Sequence, residues 1–261
     1  MSLPYVTVYT ITYNQCDTLM QTLQCLLAQD YEPQCYEIIV LDDGSKDGTS
    51  HEVHRFASQS PIPLKLITVV HEADYLSARR LNQCIASAHP QTSVFIQIDD
   101  VFMRPDFIIQ HVKWHLKGLN YLVTGAKFEG NTETWDLGSC RRAALATNRQ
   151  PTEIEHFTAV WGASLSFTRT LMNRVCCPPY DIPYDERMSG WGFHEVELAL
   201  RMQLMGCNII YDPTAGVFHR EHSNETETNR QLKREQLIEQ GIQRNTLYIL
   251  NKHGLSHLPR W

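Results

Sequence analysis

The first hundred residues alternate between apolar runs typical of buried β-strands and segments in which apolar residues recur at helical spacing. The strand-like runs cover residues 5–12, 36–41, 64–70 and 93–98. Residues 16–29 and 75–88 lie between these runs and have the pattern of crossover helices. Because alternating strands and helices pack as a parallel sheet covered on both faces, we predict a three-layer α/β/α fold with a mostly parallel central sheet.

Polar clusters follow three of these runs, at the points where the strands end. The clusters are Tyr13 with Asn14, Asp42 with Asp43, and Asp99 with Asp100. Ligands of open α/β sheets bind at the carboxyl ends of the strands, so the clusters predict a ligand site. The adjacent carboxylates of Asp99 and Asp100 repel one another unless something stabilises them, which fits a divalent metal. Capping of the helix that follows Pro105 is the alternative explanation.

The size and charge of the chain argue against several classes of protein. Its 261 residues contain no Pro/Gly/Ser-rich linker, which indicates a single domain. The net charge of −6, with scattered Lys and Arg residues, disfavours nucleic-acid binding. No signal-peptide pattern opens the sequence and no run of about 18 apolar residues occurs in it. The eight cysteines form no CxxC motif, so we expect a soluble cytoplasmic protein with reduced thiols.

A Trp-Gly turn and the helix predicted after it are the most informative part of the second half. Trp191 and Gly192 offer an aromatic wall and a close approach of the backbone, which suits sugar recognition. Glu195 follows in the first turn of the helix and is our candidate general base, although the helix dipole by itself also favours an acid there. We assign Glu197 to an ion pair with Arg201, four residues further along the helix.

The remaining second half contains an irregular stretch, two histidines and an amphipathic tail. The irregular residues 125–163 are typical of loops that shape the pocket of a second substrate. His219 and His222 follow a short predicted strand, residues 208–211, and only one of them can face a metal site from extended chain. A solvated polar loop is the alternative for either histidine. The tail from residue 229 predicts a helix that packs on the domain, with a position on a membrane surface as the alternative.

Three common nucleotide-binding and hydrolase motifs do not occur in the sequence. It contains no GxGxxG, no GxxxxGK[ST] and no GxSxG pattern. A dinucleotide fingerprint, a P-loop and a nucleophile elbow are therefore disfavoured as explanations of the polar clusters at the strand ends.

From residue 5 to residue 222, the order of the motifs resembles that of family-2 glycosyltransferases with the GT-A fold. The segments that carry the resemblance are residues 8–14, 38–49, 76–82, 97–107, 161–169 and 184–201. The resemblance implies a GT-A domain over residues 1–222, divided into a nucleotide-binding half, 1–110, and an acceptor half, 111–222. Residues 223–261 are then a C-terminal helical extension packed on the same domain.

The resemblance also implies an activity and a set of site residues. The expected reaction is an inverting transfer of a sugar from a nucleotide-sugar, with a UDP-sugar as the expected donor, to a hydroxyl of a saccharide or lipid-linked acceptor. Glu195 is the implied general base, and Asp100 and His219 are the implied ligands of Mn²⁺ or Mg²⁺, with His222 as second choice. The implied nucleotide-sugar contacts are Thr12, Tyr13, Asn14, Asp42, Asp43, Arg79 and Asp99. The implied acceptor contacts are Trp191, Gly192 and His194. A lipid-linked acceptor adds peripheral association with the inner face of a membrane to the expected cytoplasmic location.

The sequence departs from the family pattern at several of these motifs. Ile11 stands at a usual proline, Arg80 at a usual asparagine and Ile98 at the first acid of the metal motif. His194 and Glu195 stand at a usual Glu-Asp pair. Because acidic positions are substituted, a catalytically silent nucleotide-sugar-binding protein is the alternative function, and a metal-dependent nucleotidyltransferase is a third.

Overall fold

The computed structural model describes residues 3–72, 76–129, 136–137, 150–176, 182–219 and 228–258. The described strands are β1 (Tyr5–Thr12), β2 (Tyr36–Asp42), β3 (Leu64–Thr68), β4 (Thr92–Ile98), β5 (Phe102–Met103), β6 (Tyr121–Glu129), β7 (Asp136–Leu137), β8 (Thr152–Ile154), β9 (Ser164–Thr168) and β10 (Asn208–Phe218). The described helices are α1 (Cys16–Leu27), α2 (Thr49–Gln59), α3 (Ser77–Ala86), α4 (Phe107–Lys117), α5 (Arg169–Val175), α6 (His194–Leu204) and α7 (Thr228–His253). The strands form one sheet in the order β3-β2-β1-β4-β9-β6-β10-β5, with β7 beside β6 and β8 beside β10.

The first half of the chain builds the parallel part of this sheet. β1 pairs in parallel with β2 and with β4, and β2 pairs in parallel with β3. Every residue of β2 is buried, which explains why its sequence is a nearly continuous apolar run instead of an alternating one. Helices α1 and α2 pack on one face of the sheet and α3 packs on the other, in two separate apolar clusters. The prediction of a three-layer α/β/α fold is confirmed.

The second half extends the same sheet with mixed pairing. β9 lies between β4 and β6 and is antiparallel to both, whereas β6 and β10 are parallel. Helix α4 joins the apolar layer of α1, and helices α5 and α6 join the layer of α3. The carboxyl ends of β1, β2 and β4 therefore share one edge with the amino end of α6, and the candidate site residues lie along this edge.

The last strand is longer than the sequence predicts. The predicted strand of residues 208–211 is wrong at its end, because β10 runs from Asn208 to Phe218. Its pairing with β6 shifts register between Asp212 and Val217, around Pro213, which cannot donate a ladder hydrogen bond. An Asp-Pro-Thr segment resembles a turn in sequence, whereas the strand accommodates it as a local irregularity. His219 consequently follows the end of a long, buried strand.

Helix α7 packs against the layer that contains α6. Ile249 is fully buried in the apolar cluster of that layer, and Tyr248 and Leu255 pack against the same cluster. The side-chain amide of Asn245 donates a hydrogen bond of 2.8 Å to the carbonyl oxygen of Gly192. Among the described helices, none combines the length and the apolar character that a membrane span needs.

Candidate active site

A cavity of about 430 Å³ lies at the edge of the sheet where β1 and β4 end. The predicted site residues that line it are Asp99, Trp191, Gly192, His194, Glu195 and His219. The cavity therefore joins two motifs that are about a hundred residues apart in the chain, the end of β4 and the start of α6. A concave site with convergent polar groups at a sheet edge is the usual setting of a substrate pocket in this architecture.

Glu195 is placed by a sharp turn before α6. Gly190, Gly192 and Phe193 all have positive φ angles, of 78°, 93° and 67° respectively. For Phe193 this conformation is strained, and such strain clusters at functional sites. The turn brings the first helical turn, with Glu195, to the cavity wall, where Oε1 of Glu195 accepts a hydrogen bond of 2.8 Å from Nε2 of Gln97.

The rest of the first turn of α6 is buried. The predicted ion pair between Glu197 and Arg201 is present at 2.8 Å, and both side chains are almost fully buried. His194 is 3% exposed, and its Nε2 has no hydrogen-bond partner among the described residues. Burial lowers the pKa of His194, although the negative charge of Glu195 opposes that effect. His194 is therefore a neutral imidazole at the cavity wall, next to the candidate base.

The carboxylates after β4 meet the histidine after β10. Oδ1 of Asp100 lies 4.0 Å from Nε2 of His219, and both side chains are 21% exposed. The backbone N–H of His219 donates to the carbonyl oxygen of Phe128 at 2.9 Å, which fixes the chain at this point. Asp99 faces the open cavity. The cavity walls around its carboxylate, with the negative charges of Asp100 and Glu195, raise the pKa of Asp99 above its ordinary value.

These residues fit a divalent cation that is held jointly by protein and substrate. Asp100 and His219 offer one oxygen and one nitrogen at a separation that two metal–ligand bonds of about 2.1 Å can bridge. No group of three or more His, Cys, Asp or Glu side chains in the described ranges forms a closed metal cage. Mg²⁺ typically takes one or two carboxylates from the protein and its other ligands from phosphate oxygens and water. His222, the second choice for the metal, lies outside the described residues.

An aromatic pair lies at the ends of β1 and β3. The ring of Tyr13 stacks on the ring of His71, with centroids 4.0 Å apart and an interplanar angle of 9°. Nδ1 of His71 lies 2.8 Å from Oδ2 of Asp43, and Nε of Arg80 donates to Oδ1 of Asp43 at 2.7 Å. Asp43 is thus held from two sides, beside an exposed aromatic face that is suited to stacking on a flat ring.

Asn14 and Asp42 shape the loops around this pair. Asn14 has a φ of 52°, and its side-chain oxygen accepts a hydrogen bond of 2.8 Å from the backbone of Lys46. Asp42 is fully buried, and its Oδ1 accepts a hydrogen bond of 2.9 Å from the backbone of Ser45. Oγ1 of Thr12 is buried without a hydrogen-bond partner among the described residues. Two loops from different strands are tied together here into one rigid edge.

Arg79 lies further out than the other predicted contacts. Its side chain is 47% exposed, and its guanidinium lies 3.6 Å from Glu72 and 3.5 Å from Glu186. The neighbouring Arg80 is almost fully buried against Asp43. The sequence prediction names Arg79 as a nucleotide-sugar contact and does not name Arg80. The signal for Arg80 was its place in the family pattern, where an asparagine is usual.

Gln97 is a second residue that the sequence analysis did not select. It lies on β4, is 2% exposed and contacts the candidate base directly. A signal for it exists in the sequence, because a polar residue inside an apolar strand and two positions before Asp99 lies on the same face of the sheet as Asp99.

Residues 7–175 of the chain match the family described as Glycosyl transferase family 2. The chain belongs to this family. It is 33% identical over 57 residues to the glycosyltransferase AglE of Haloferax volcanii, a region of 22% of this chain and 19% of AglE. It is 28% identical over 113 residues to YfnE of Bacillus subtilis, an uncharacterised glycosyltransferase, which is 43% of this chain and 27% of YfnE. The matched regions are thus a minor part of both curated relatives.

Solved structures of glycosyltransferases share the fold. The mannosyltransferase PcManGT of Pyrobaculum calidifontis, in complex with GDP-Man and Mn²⁺, superimposes with a TM-score of 0.68 and 20% identity, over 94% of this chain and 65% of that one. GalNAc-T7 with UDP, GalNAc and Mn²⁺ has a TM-score of 0.63 and 14% identity, over 84% of this chain and 44% of that one. S. aureus TarS with UDP has a TM-score of 0.62 and 14% identity, over 83% and 60%. The predictions of the family and of the GT-A fold are confirmed.

Proposed function

We propose that the chain transfers a sugar from a nucleoside diphosphate sugar to an acceptor hydroxyl with inversion at the anomeric carbon. The observation that carries the proposal is a single cavity lined by Glu195, Asp99 and His219 at the carboxyl end of the parallel strands. An acid that is held by a hydrogen bond at the wall of such a cavity suits a general base, and the acidic edge opposite it suits a cation and a diphosphate.

The donor nucleotide is assigned to the edge formed by the ends of β1, β2 and β3. The stacked rings of Tyr13 and His71, and the anchored carboxylate of Asp43, supply a π-face and a hydrogen-bond acceptor for a nucleobase. Thr12, Asn14, Asp42 and Arg79 belong to the same edge. We propose UDP as the nucleotide, and GDP is the other candidate because a similar structure holds GDP-Man.

The cation is assigned to Asp100 and His219, with Mn²⁺ or Mg²⁺ as the proposed metal. When bound, such a cation offsets the negative charge that develops on the departing diphosphate. Asp100 and His219 would hold it at the edge of the sheet, and Asp99 would contribute a further carboxylate beside it. The Mn²⁺ in the structures of PcManGT and GalNAc-T7 supports this choice of metal.

The acceptor is assigned to the opposite wall, beside α6. Trp191 is 43% exposed, and an exposed indole at a cavity mouth is suited to packing on a sugar ring. Gly192 and His194 line the cavity next to it. We propose a saccharide or lipid-linked acceptor, and the cytoplasmic location and peripheral membrane association remain predictions.

In the proposed step, the acceptor O–H proton moves to the carboxylate of Glu195 as the acceptor oxygen forms a bond to the anomeric carbon. The bond between that carbon and the diphosphate oxygen breaks, and its electron pair leaves with the nucleoside diphosphate. Attack and departure occur on opposite faces of the sugar, which gives inversion. General-base assistance of this kind typically contributes about 10²–10⁴-fold to the rate.

Substitution of the proposed base tests this function. We expect Glu195→Gln to lower kcat by about 10²–10⁴-fold, because an amide cannot accept the acceptor proton. Calorimetric titration with UDP and with GDP, each in the presence of Mn²⁺, should give unchanged nucleotide affinity. Glu153→Gln, an exposed substitution on β8, is the matched control and should retain full activity. A wild-type rate for Glu195→Gln would overturn the assignment.

The two alternatives give different results in the same assays. A silent nucleotide-sugar-binding protein would bind the nucleotide with metal but release no nucleoside diphosphate with any acceptor in a broad panel. A nucleotidyltransferase would release pyrophosphate from a nucleoside triphosphate.

A further inference from the structure

A chain of hydrogen bonds joins the candidate base to the interior of the sheet. The hydroxyl oxygens of Tyr9 and Tyr184 lie 3.1 Å apart, and the hydroxyl of Tyr184 donates to Oε1 of Gln97 at 2.5 Å. Nε2 of Gln97 in turn donates to Oε1 of Glu195 at 2.8 Å. Tyr9 lies on β1 and Gln97 on β4, so two neighbouring parallel strands of the sheet carry these hydrogen-bonded side chains.

The heavy-atom contacts fit one assignment of protons along these hydrogen bonds. Burial raises the pKa values of Tyr9 and Tyr184 well above their usual range, so both phenols are protonated at any working pH. The single proton of Tyr184 is used on Gln97, and Tyr9 therefore donates to the oxygen of Tyr184. With its oxygen occupied in this way, the amide of Gln97 can present only its N–H group to Glu195.

The loop before β9 is shaped to admit this contact. A Cβ atom at Gly162 would lie 2.2 Å from Nε2 of Gln97 and 2.6 Å from Oε1 of Glu195. Those separations are shorter than carbon makes with nitrogen or oxygen in proteins, so any other residue at position 162 would displace the pair. Glycine leaves the space in which the amide and the carboxylate meet.

We propose that Gln97 is a positioning residue for Glu195, an inference that rests on the proposed function of Glu195 as the base. Gln97 holds Oε1 of the carboxylate and leaves Oε2 to receive the acceptor proton. An amide N–H donates but does not accept a proton, so this contact supports the charged carboxylate without competing for the acceptor proton. The buried tyrosines keep the amide in the one orientation that does this.

Substitutions of two residues in this series of hydrogen bonds test the role of Gln97. Gln97→Leu keeps the approximate size and removes the donor, and we expect kcat to fall about 10–100-fold while the KM for the donor sugar stays the same. Tyr184→Phe keeps the ring and frees the amide to turn, and we expect a smaller loss, about 3–10-fold.

The pH–rate profile gives a readout that a merely structural role would not change. Gln97→Glu places a second carboxylate against Glu195, and like charges at hydrogen-bond distance disfavour ionisation of both. We expect the acidic limb of the kcat profile to move to higher pH in this variant. Thr124→Val removes a buried hydroxyl that has no hydrogen-bond partner among the described residues, from a strand of the same sheet. It is the matched control and should retain the wild-type profile.

The outcomes separate this inference from the proposed function. Wild-type kcat in Gln97→Leu, with kcat lowered about 10²–10⁴-fold in Glu195→Gln, would overturn the role of Gln97 and leave the base in place. Activity retained in Glu195→Gln would overturn the proposed function itself. A loss of kcat in Gln97→Leu accompanied by an equal rise in the donor KM would indicate a structural role and would also overturn the inference. If circular dichroism shows that Gln97→Leu does not fold, Tyr184→Phe decides, and wild-type kcat in that variant counts against the proposal.

Discussion

Asp100 and His219 illustrate how single residues from distant strands form one candidate cation site. Asp100 follows β4 and His219 follows β10, strands that are separated in the sheet by β9 and β6. Their nearest polar atoms nevertheless lie 4.0 Å apart. In the proposed cation site the two side chains would depend on one another, because neither offers enough ligands by itself.

Substitution of either residue should therefore weaken metal-dependent nucleotide binding. We expect Asp100→Asn and His219→Asn each to lower the affinity for UDP in the presence of Mn²⁺ by about 10–100-fold. Affinity without metal should change little. Titration calorimetry with and without Mn²⁺ measures the difference, and His54→Asn, an exposed substitution on α2, is the control. An unchanged response of UDP affinity to Mn²⁺ would contradict the assignment of the two ligands.

The sequence predicts those residues of the candidate site whose positions follow from a local pattern. It does not predict the contacts that arise from tertiary packing. Asp99, Asp100 and Glu195 follow from strand ends and a helix start, which periodicity locates. The contacts of Gln97 with Glu195, and of Arg80 with Asp43, join segments far apart in the chain. No local pattern specifies such distances, because they depend on how the layers pack.

Among the elements, helix α7 packs directly against the turn that carries the proposed acceptor wall. A Cβ atom at Gly241 would lie 2.4 Å from the carbonyl oxygen of Trp191 and 2.7 Å from its backbone nitrogen. The guanidinium of Arg244 donates to the carbonyl oxygen of Ser189, and Asn245 donates to that of Gly192. The turn before α6 is thus held against a helix from the end of the chain.

Gly241→Ala tests this packing, because two effects of opposite sign compete. Alanine is favoured over glycine within a helix by about 1 kcal/mol, but here its methyl group would meet backbone atoms that cannot rotate away. We expect the clash to dominate, so that the melting temperature falls and the acceptor KM rises. Thermal denaturation and acceptor titration measure the two effects.

The exposed position 243 on the same helix supplies the control for Gly241→Ala. Gln243→Ala should leave both the melting temperature and the acceptor KM near their wild-type values. A higher melting temperature for Gly241→Ala, as helix propensity by itself predicts, would show that the helix is not packed tightly against the turn.

Strand β10 also shows that a sequence pattern does not specify which strands pair in the folded protein. The parallel strands of the first half are continuous apolar runs and are found at nearly their predicted bounds. In β10 a proline interrupts the pattern, and pairing with β6, β8 and β5 on the two sides of the irregularity keeps the segment extended. The sequence pattern contains the interruption but not the partner strands that overcome it.

At the scale of the whole molecule, a buried polar cluster joins α4 to β9. Nδ1 and Nε2 of His111 lie 2.8 Å from Oγ of Ser166 and 3.0 Å from Oγ of Ser164, and Nε2 of His115 lies 2.8 Å from Oγ of Ser166. Ser164 donates its proton to the carbonyl oxygen of Ala215 at 2.7 Å. Nε2 of His111 then donates to Ser164, the hydroxyl of Ser166 donates to Nδ1 of His111, and Nε2 of His115 donates to Ser166. Each ring carries one proton in this assignment, so both imidazoles are neutral.

The pKa values of the two histidines link this cluster to pH. Burial lowers the pKa of His111 to about 3, with a contribution from neighbouring His115, and burial also lowers the pKa of His115 to about 3. In the unfolded chain both titrate near their ordinary pKa of about 6.5. Below that pH the unfolded state binds protons that the folded state does not, so stability is full above about 6.5 and is lost as pH falls towards about 3.

Glu197 adds a second loss of stability at lower pH. Burial by itself would raise the pKa of this carboxyl, but hydrogen bonds from His253, Arg201 and Lys252 outweigh burial and hold the pKa at about 2. Because an unfolded glutamate titrates near 4.5, its contribution is present above that pH and disappears as pH falls towards about 2. The histidine and glutamate effects therefore begin in different ranges of pH.

A substitution of His115 should isolate the histidine effect between pH 7 and pH 5. Each fully linked histidine contributes a slope of about 1.4 kcal/mol per pH unit to the free energy of unfolding once pH is well below 6.5. We expect His115→Leu to be less stable at pH 7, because Ser166 loses a donor, but to lose less further stability on acidification to pH 5. Urea denaturation at pH 7, 6 and 5 measures the slopes. His51→Gln, whose histidine side chain is 80% exposed, should retain the wild-type slope, and a wild-type slope in His115→Leu would show that the buried imidazole does not resist protonation in the folded protein.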